Sequence, residues 1–143
     1  MNKEMKQYTG TKTVKAMPMT MGEAYERKLL KDGVRPSECE TDKAGYLVEY
    51  EGGYQSWSPA DVFEKAYKPS ETFLERLHIE FAEVKERFIS LDNFYSKGFD
   101  GVAEIVGARQ AALLLCQLNS MRAYVEVLET RIEDIEQDMK NDK

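Results

Sequence analysis

Apolar positions along the chain follow two different rhythms. From about Glu71 to Tyr95, the residues Phe73, Leu77, Phe81, Val84, Phe88, Leu91 and Tyr95 recur at spacings of three and four. That period lays them along one stripe of a long helix. Thr72-Phe73-Leu74-Glu75 supplies a capping box at its start. Residues 96–101, SKGFDG, read as a turn. A second helix is predicted from about Val102 to Met139, in which Leu118, Met121, Val125, Leu128, Ile132, Ile135 and Met139 keep the 4/3 alternation of a coiled coil. A helix of about 38 residues is on the order of 57 Å long, more than one shorter helix and a small head can cover. Its segment AALLLCQL, residues 111–118, is apolar nearly all round. Such a surface needs cover on several sides, so the pattern predicts a homo-oligomer with these helices at the interface. Gly107, one turn before Ala111, reads as a point of close helix contact.

Before residue 70 the rhythm is shorter. QYTGTKTVKAMPM, residues 7–19, reads as an extended segment that Pro18 ends or places at a sheet edge. Thr20-Met21-Gly22-Glu23 is a second capping box, predicting a helix from Met21 to about Lys31 that stops at Asp32-Gly33. Residues 34–44 are polar and read as a loop. In GYLVEYEGGYQSW, residues 45–57, two strands flank Gly52-Gly53, a pair suited to the positive φ angles of a two-residue hairpin turn. Ser58-Pro59 reads as an N-cap followed by proline at the first helical position, with Val62, Phe63 and Ala66 buried and Pro69 ending the helix. The predicted fold class is α+β. A small antiparallel β-sheet head with short helices, residues 1–70, precedes two long antiparallel helices, residues 71–143, that form the oligomer interface. The whole is expected to be a single domain, 1–143.

Charge separates the same two halves. Residues 1–70 hold 11 basic and 11 acidic side chains, whereas residues 71–143 hold 9 basic and 15 acidic ones, so the net charge of -6 belongs to the helical half. An acidic helical half argues against binding long nucleic acid, whose affinity rests on basic surface. It leaves room for a small anion in one local basic pocket. No run approaches the ~18 apolar residues of a membrane span. MNKEMKQYTG carries charge without an apolar core, which predicts no signal peptide. Cys39 and Cys116 make no disulfide framework and read as free thiols.

Candidate chemistry is sparse. His78, the one histidine, falls beside the stripe and reads as a surface residue. No Cys/His set has metal-ligand spacing, no serine sits in a nucleophile elbow, and no glycine loop cradles phosphate. Glu80, Glu83 and Glu86 read as a solvated face. The expectation is a binding protein without catalysis, metal or cofactor. From Gln110 to Met121 no residue is charged. Arg109 opens this run and either snorkels to solvent, pairs with another helix or faces an anion. Arg27 and Arg122 read as surface residues. Among the many aromatic residues, an exposed one beside an arginine would stack a nucleobase, worth about 1–3 kcal/mol per base.

Two segments carry a resemblance. KAMPMT, residues 15–20, together with GYLVEYEGGYQSWSPADVFEKAYKP, residues 45–69, resembles a module of small bacteriophage proteins. QAALLLCQLNSMRAYVEVLETRIEDI, residues 110–135, resembles the C-terminal helix of phage proteins that sequester cyclic nucleotides. In this order and at this length, the chain resembles the Thoeris anti-defence 1 family. The resemblance implies a sponge that binds a cyclic ADP-ribose isomer, the signal of Thoeris-type immunity, without cleaving it. Some family members also hold cyclic di- and trinucleotides at separate sites. It further implies a homo-dimer or homo-hexamer with ligand between protomers, no membrane partner, and a place in the cytoplasm of the infected host. Carried onto this sequence, Phe81 would stack adenine and Arg109 would meet the phosphates. Arg27 would supply a second cation, and the hairpin end from Gln55 to Trp57 is a further candidate. A cyclic-trinucleotide pocket would involve Ser90 to Asn93, where Asp92 places a charge that does not suit a phosphate. The rival readings are a phage structural or host-takeover adaptor that binds protein through its helices, and a hydrolase of a similar nucleotide.

Overall fold

The computed structural model describes residues 3–142; Met1 and Asn2 of the predicted head and Lys143 of the predicted helical half lie outside them. The chain forms two compact units, Met1–Lys68 and Pro69–Lys143. The described residues carry both a small antiparallel sheet and long helices, as an α+β fold requires.

In the first unit, strands β1 (Lys15–Pro18), β2 (Gly45–Glu49) and β3 (Gln55–Pro59) form an antiparallel sheet in the order β1-β2-β3. Pro18, which has no N–H to donate, closes β1 at a sheet edge opposite Tyr46. Between β2 and β3, Tyr50 N–H donates to the Tyr54 carbonyl at 2.8 Å and Gly53 N–H to the Tyr50 carbonyl at 3.0 Å. The loop is therefore Glu51-Gly52-Gly53, one residue longer than predicted. Gly52 and Gly53 take φ of 92° and 90°, the positive angles expected of them. Helix α1 (Met21–Glu26) starts at Thr20, whose hydroxyl accepts from Glu23 N–H at 3.2 Å. It ends well before the predicted Lys31, because Lys28 adopts φ 60° and the chain turns there. Gly33, at φ 84°, lies in a later turn and is not the helix terminator.

Helix α2 (Ala60–Ala66) corrects a second expectation. Ser58 and Pro59 belong to β3, and no side chain caps the helix. Of its three predicted core residues none is buried: Phe63 is half-buried, Val62 is 57% exposed and Ala66 is also exposed. Phe63 stacks on Tyr46 at 4.4 Å and on Tyr67 at 5.1 Å. The buried apolar side chains of this unit are Met19, Met21, Ala24 and Val48.

The second unit begins with α3 (Phe73–Phe94), opened by the predicted capping box of Thr72 and Glu75. Leu77 is buried with Leu128 and Ile132, and Leu74, Phe81, Val84 and Ile135 pack around them. Phe73 faces solvent instead, its place on the stripe taken by Leu74. A short 3-10 turn (Tyr95–Lys97) leads into α4 (Gly98–Val106), where the sequence predicted turn through residue 101. The single second helix of the sequence reading is two. Gly107 adopts φ 90° and ψ 155°, and α5 (Ala108–Asn141) starts after it. Gly107 is thus a helix break, and within the chain a Cβ built there would meet nothing within 4 Å.

Helix α5 has 34 residues, about 51 Å at a rise of about 1.5 Å per residue. Its buried residues Ala111, Leu118, Val125 and Ile132 stand seven apart, with Leu128 between the last two. Leu128 and Ile132 pack on Leu77 of α3, which runs antiparallel, and α4 packs near the start of α5. The Tyr95 hydroxyl donates to the Ala111 carbonyl, Tyr124 donates to Glu80 at 2.6 Å, and His78 meets Glu136 at 3.1 Å. Leu113, Leu115 and Cys116 in the apolar run remain exposed in a single chain, as do Ile105, Phe99 and Val127.

Candidate functional site

The helical unit places the predicted ligand contacts at separate levels. Phe81 sits on the stripe of α3, half-buried against the Leu77, Leu128 and Ile132 cluster. The Lys85 ammonium, one turn later, lies 5.3 Å from its ring centroid. The ring therefore has an apolar backing and the Lys85 ammonium over it, a cation that a stacking base would displace toward its own phosphates.

Arg109 stands in the first turn of α5, with no acidic residue in that turn. It is exposed, and among the described residues it makes no ion pair and no side-chain hydrogen bond. Of the readings left open for it, a helix–helix salt bridge is not what the structure shows. From Arg109 to Leu128, which lies level with Phe81, α5 runs about 28 Å. One chain does not bring Arg109 and Phe81 together. A site that uses both draws them from two copies.

Ser90 lines an open groove of about 610 Å³ between α3 and α5. Glu83, Glu86, Arg87 and Gln117 supply its other polar groups, with Leu91, Phe94 and Met121 as apolar wall. Asn93 is not on that wall; its carbonyl accepts from Ser96 Oγ at 2.7 Å. Asp92 meets Arg122 at 3.6 Å. Arg122 also donates to Asn119 Oδ1 at 3.1 Å and lies 5.5 Å from the Phe88 ring centroid. The carboxylate that seemed unsuited to a phosphate thus has its own counter-ion, although both groups are about half exposed and the pairing is weak. The sequence reading passed over Arg87 and Gln117. Arg87 is three residues before Ser90, on the same helix face. Gln117 is the polar interruption in an apolar run, and either fact would have flagged the groove.

In the first unit, Arg27 caps the C-terminal end of α1 with its backbone N–H donating to the Glu23 carbonyl at 3.1 Å, and its side chain is exposed. Gln55 donates to Glu49 Oε1 at 3.1 Å across the β2–β3 pair. Trp57 donates its indole N–H to the Met19 carbonyl at 2.8 Å. Its ring fills the space beside Gly45, where any side chain would overlap it. That hydrogen bond and that packing tie β3 to the segment leading into α1, so the indole already has a structural task. Among the described residues, no group of three or more His, Cys, Asp or Glu side chains is arranged to hold a metal ion. Two tyrosines hold their protons more tightly than usual. Hydrogen bonds to Glu64 and Glu80 raise the pKa of Tyr46 and Tyr124, respectively.

The helical geometry is accompanied by a family match. The family model described as Sequestin matches residues 71–134, from the N-terminal edge of α3 almost to the end of the α5 seam. No curated protein and no solved structure matches the chain significantly. Sequestin is the sponge family of Thoeris anti-defence, and residues 71–134 of this chain are similar to it.

Proposed function

We propose that this protein binds and sequesters a cyclic ADP-ribose isomer, the signal of Thoeris-type immunity, without cleaving it. It acts as a homo-oligomer in the cytoplasm of a phage-infected bacterium. The observation that carries the reading is the coincidence of the Sequestin match with the unit that presents Phe81 and Arg109. Phe81 offers a backed aromatic face, and Arg109 offers a guanidinium with no partner of its own among the described residues. Their separation in one chain supports a pocket shared between copies, and exposed Leu113 and Leu115 supply apolar surface for that association. A ligand of this class presents a flat base and a compact pyrophosphate. One ring and one arginine fork satisfy both, and closure between subunits strengthens the charge pairing by excluding water. Stoichiometric capture needs no base or nucleophile.

A second, separate ligand of the cyclic di- or trinucleotide class in the groove at Ser90 would have to overcome the charge of Glu83 and Glu86 on its wall. Arg87 is the cation on its wall, and the Asp92–Arg122 pair lessens the repulsion that Asp92 would otherwise exert.

Calorimetry with the cyclic ADP-ribose isomer, followed by heat release and chromatography, tests the reading. Intact ligand recovered from denatured complex is the expected result; altered ligand would indicate a hydrolase. Absence of binding at micromolar protein would leave the adaptor reading. Arg109→Ala and Phe81→Ala are each expected to weaken binding by roughly tenfold or more, in line with about 1–3 kcal/mol for a stacked base or a charge-assisted hydrogen bond. Light scattering is expected to report an oligomer for the parent and both variants. Binding by either variant at the parent's affinity would move the site elsewhere.

A further inference from the structure

We infer that Gly107 is a positioning residue for ligand capture, whose backbone break sets Arg109 at the opening turn of a helix instead of the middle of one. This rests on the sequestration reading, in which Arg109 contacts the ligand. The apolar period runs through residue 107 without a visible stop, so periodicity alone would make residues 102–139 one helix. Side chains on a helix lean toward its N-terminus. In an unbroken helix the stem of Arg109 would therefore lie along the turn formed by Ile105 and Val106. The break removes that turn. Val102 and Ala111 are both 0% exposed, and α4 packs against α5. In a straight helix those two residues would stand about 13 Å apart along the axis and α4 could meet α5 only at the adjoining turn. With α4 off the line of α5, no preceding turn of the same helix lies under Arg109, and its side chain is exposed.

The backbone angles explain why glycine stands there. At φ 90° and ψ 155°, residue 107 occupies a region that side-chain-bearing L-residues avoid. A Cβ at this position would meet no atom within 4 Å. Replacement by alanine therefore acts through the backbone and not through a clash.

The experiment compares Gly107→Ala, Arg109→Ala and the double variant with the parent, by calorimetry against the cyclic ADP-ribose isomer. Circular dichroism and light scattering follow helix content and assembly. Gly107→Ala is expected to weaken binding roughly tenfold. On the Arg109→Ala background the same change is expected to alter affinity by less than about twofold, because it acts through a side chain already removed. Parental affinity in Gly107→Ala, or an equal loss on both backgrounds, would overturn the inference. If Gly107→Ala does not assemble, a ligated protein carrying D-alanine at position 107 decides the matter, since a D-residue takes positive φ readily. Near-parental binding by that protein is expected, and its loss overturns the inference. Failure of the parent to bind would overturn the sequestration reading and this inference with it; a binding parent with an indifferent Gly107→Ala removes this inference alone.

Discussion

The two units close their cores in different ways. In the sheet unit, contacts join residues far apart in sequence: the Trp57 indole reaches the Met19 carbonyl, and its ring occupies the space Gly45 leaves open. In the helical unit, buried residues follow one another at heptad intervals, Ala111, Leu118, Val125 and Ile132, against an antiparallel neighbour. The sheet unit's covered residues are few and small or flexible, Met19, Met21, Ala24 and Val48. The helical unit buries larger aliphatic groups yet leaves Phe99, Ile105, Leu113, Leu115 and Val127 exposed on α4 and α5. A few interlocks between residues distant in sequence hold the sheet unit. The long helix has more apolar surface than α3 and α4 cover, in keeping with the proposed assembly of several copies.

Three experiments sharpen or break that contrast. The largest effect is expected in the helical core. Leu128 is 1% exposed at the centre of the α3–α5 cluster. Leu128→Ala is expected to destabilise the helical unit by about 2–5 kcal/mol through lost burial and a cavity. Urea unfolding followed by far-ultraviolet circular dichroism measures it; a loss below about 1 kcal/mol would mean that the seam is not the core.

A smaller effect is expected in the sheet unit. Gly45→Ala would push a methyl into the Trp57 ring and is expected to cost about 1–3 kcal/mol by overpacking. Trp57 is the chain's single tryptophan, so its fluorescence reports this unit directly. Unchanged emission and an unchanged unfolding midpoint would show that the interlock tolerates rearrangement.

The smallest effect concerns the Tyr124–Glu80 clasp between α5 and α3. Its hydrogen bond to Glu80 raises the Tyr124 pKa above the ordinary tyrosine range, near about 10. The folded state therefore holds this proton more tightly than the unfolded chain does. The clasp's contribution is fully present below the ordinary tyrosine pKa and is lost as pH rises through the higher folded value. Thermal unfolding between neutral and strongly alkaline pH is expected to lose slightly more stability in the parent than in Tyr124→Phe. Identical pH profiles would show that the clasp contributes nothing measurable.

Much of the helical unit was legible because its information is local and repeated. The Thr72–Glu75 capping box and the 4/3 seam depend on residues three to seven apart; the box is present and the seam holds from Leu118 to Ile135, whereas Met139, its predicted last residue, is 55% exposed. The hairpin glycines were legible for the same reason, although the loop holds three residues where two were predicted. Boundaries set by single backbone angles were not legible. Lys28 at φ 60° ends α1 early, and Gly107 at φ 90° divides a run whose apolar period continues across it. Glycine tolerates a helix interior as well as a break, so its presence alone does not choose between them.

The candidate site divides along the same line. Residue chemistry singled out Phe81 as an aromatic on the stripe and Arg109 as a cation at the edge of an uncharged run. By itself the sequence also determined the heptad seam, the acidic bias of the helical half and the scarcity of groups for catalysis. Only the tertiary structure decided that Arg109 heads a separate helix, that about 28 Å of α5 separates it from the level of Phe81, and that Arg122 meets Asp92 at 3.6 Å. The physical reason is that composition and period fix which face of a helix is apolar, whereas one residue's φ and ψ fix where the helix starts. Where it starts decides which side chains reach past its end.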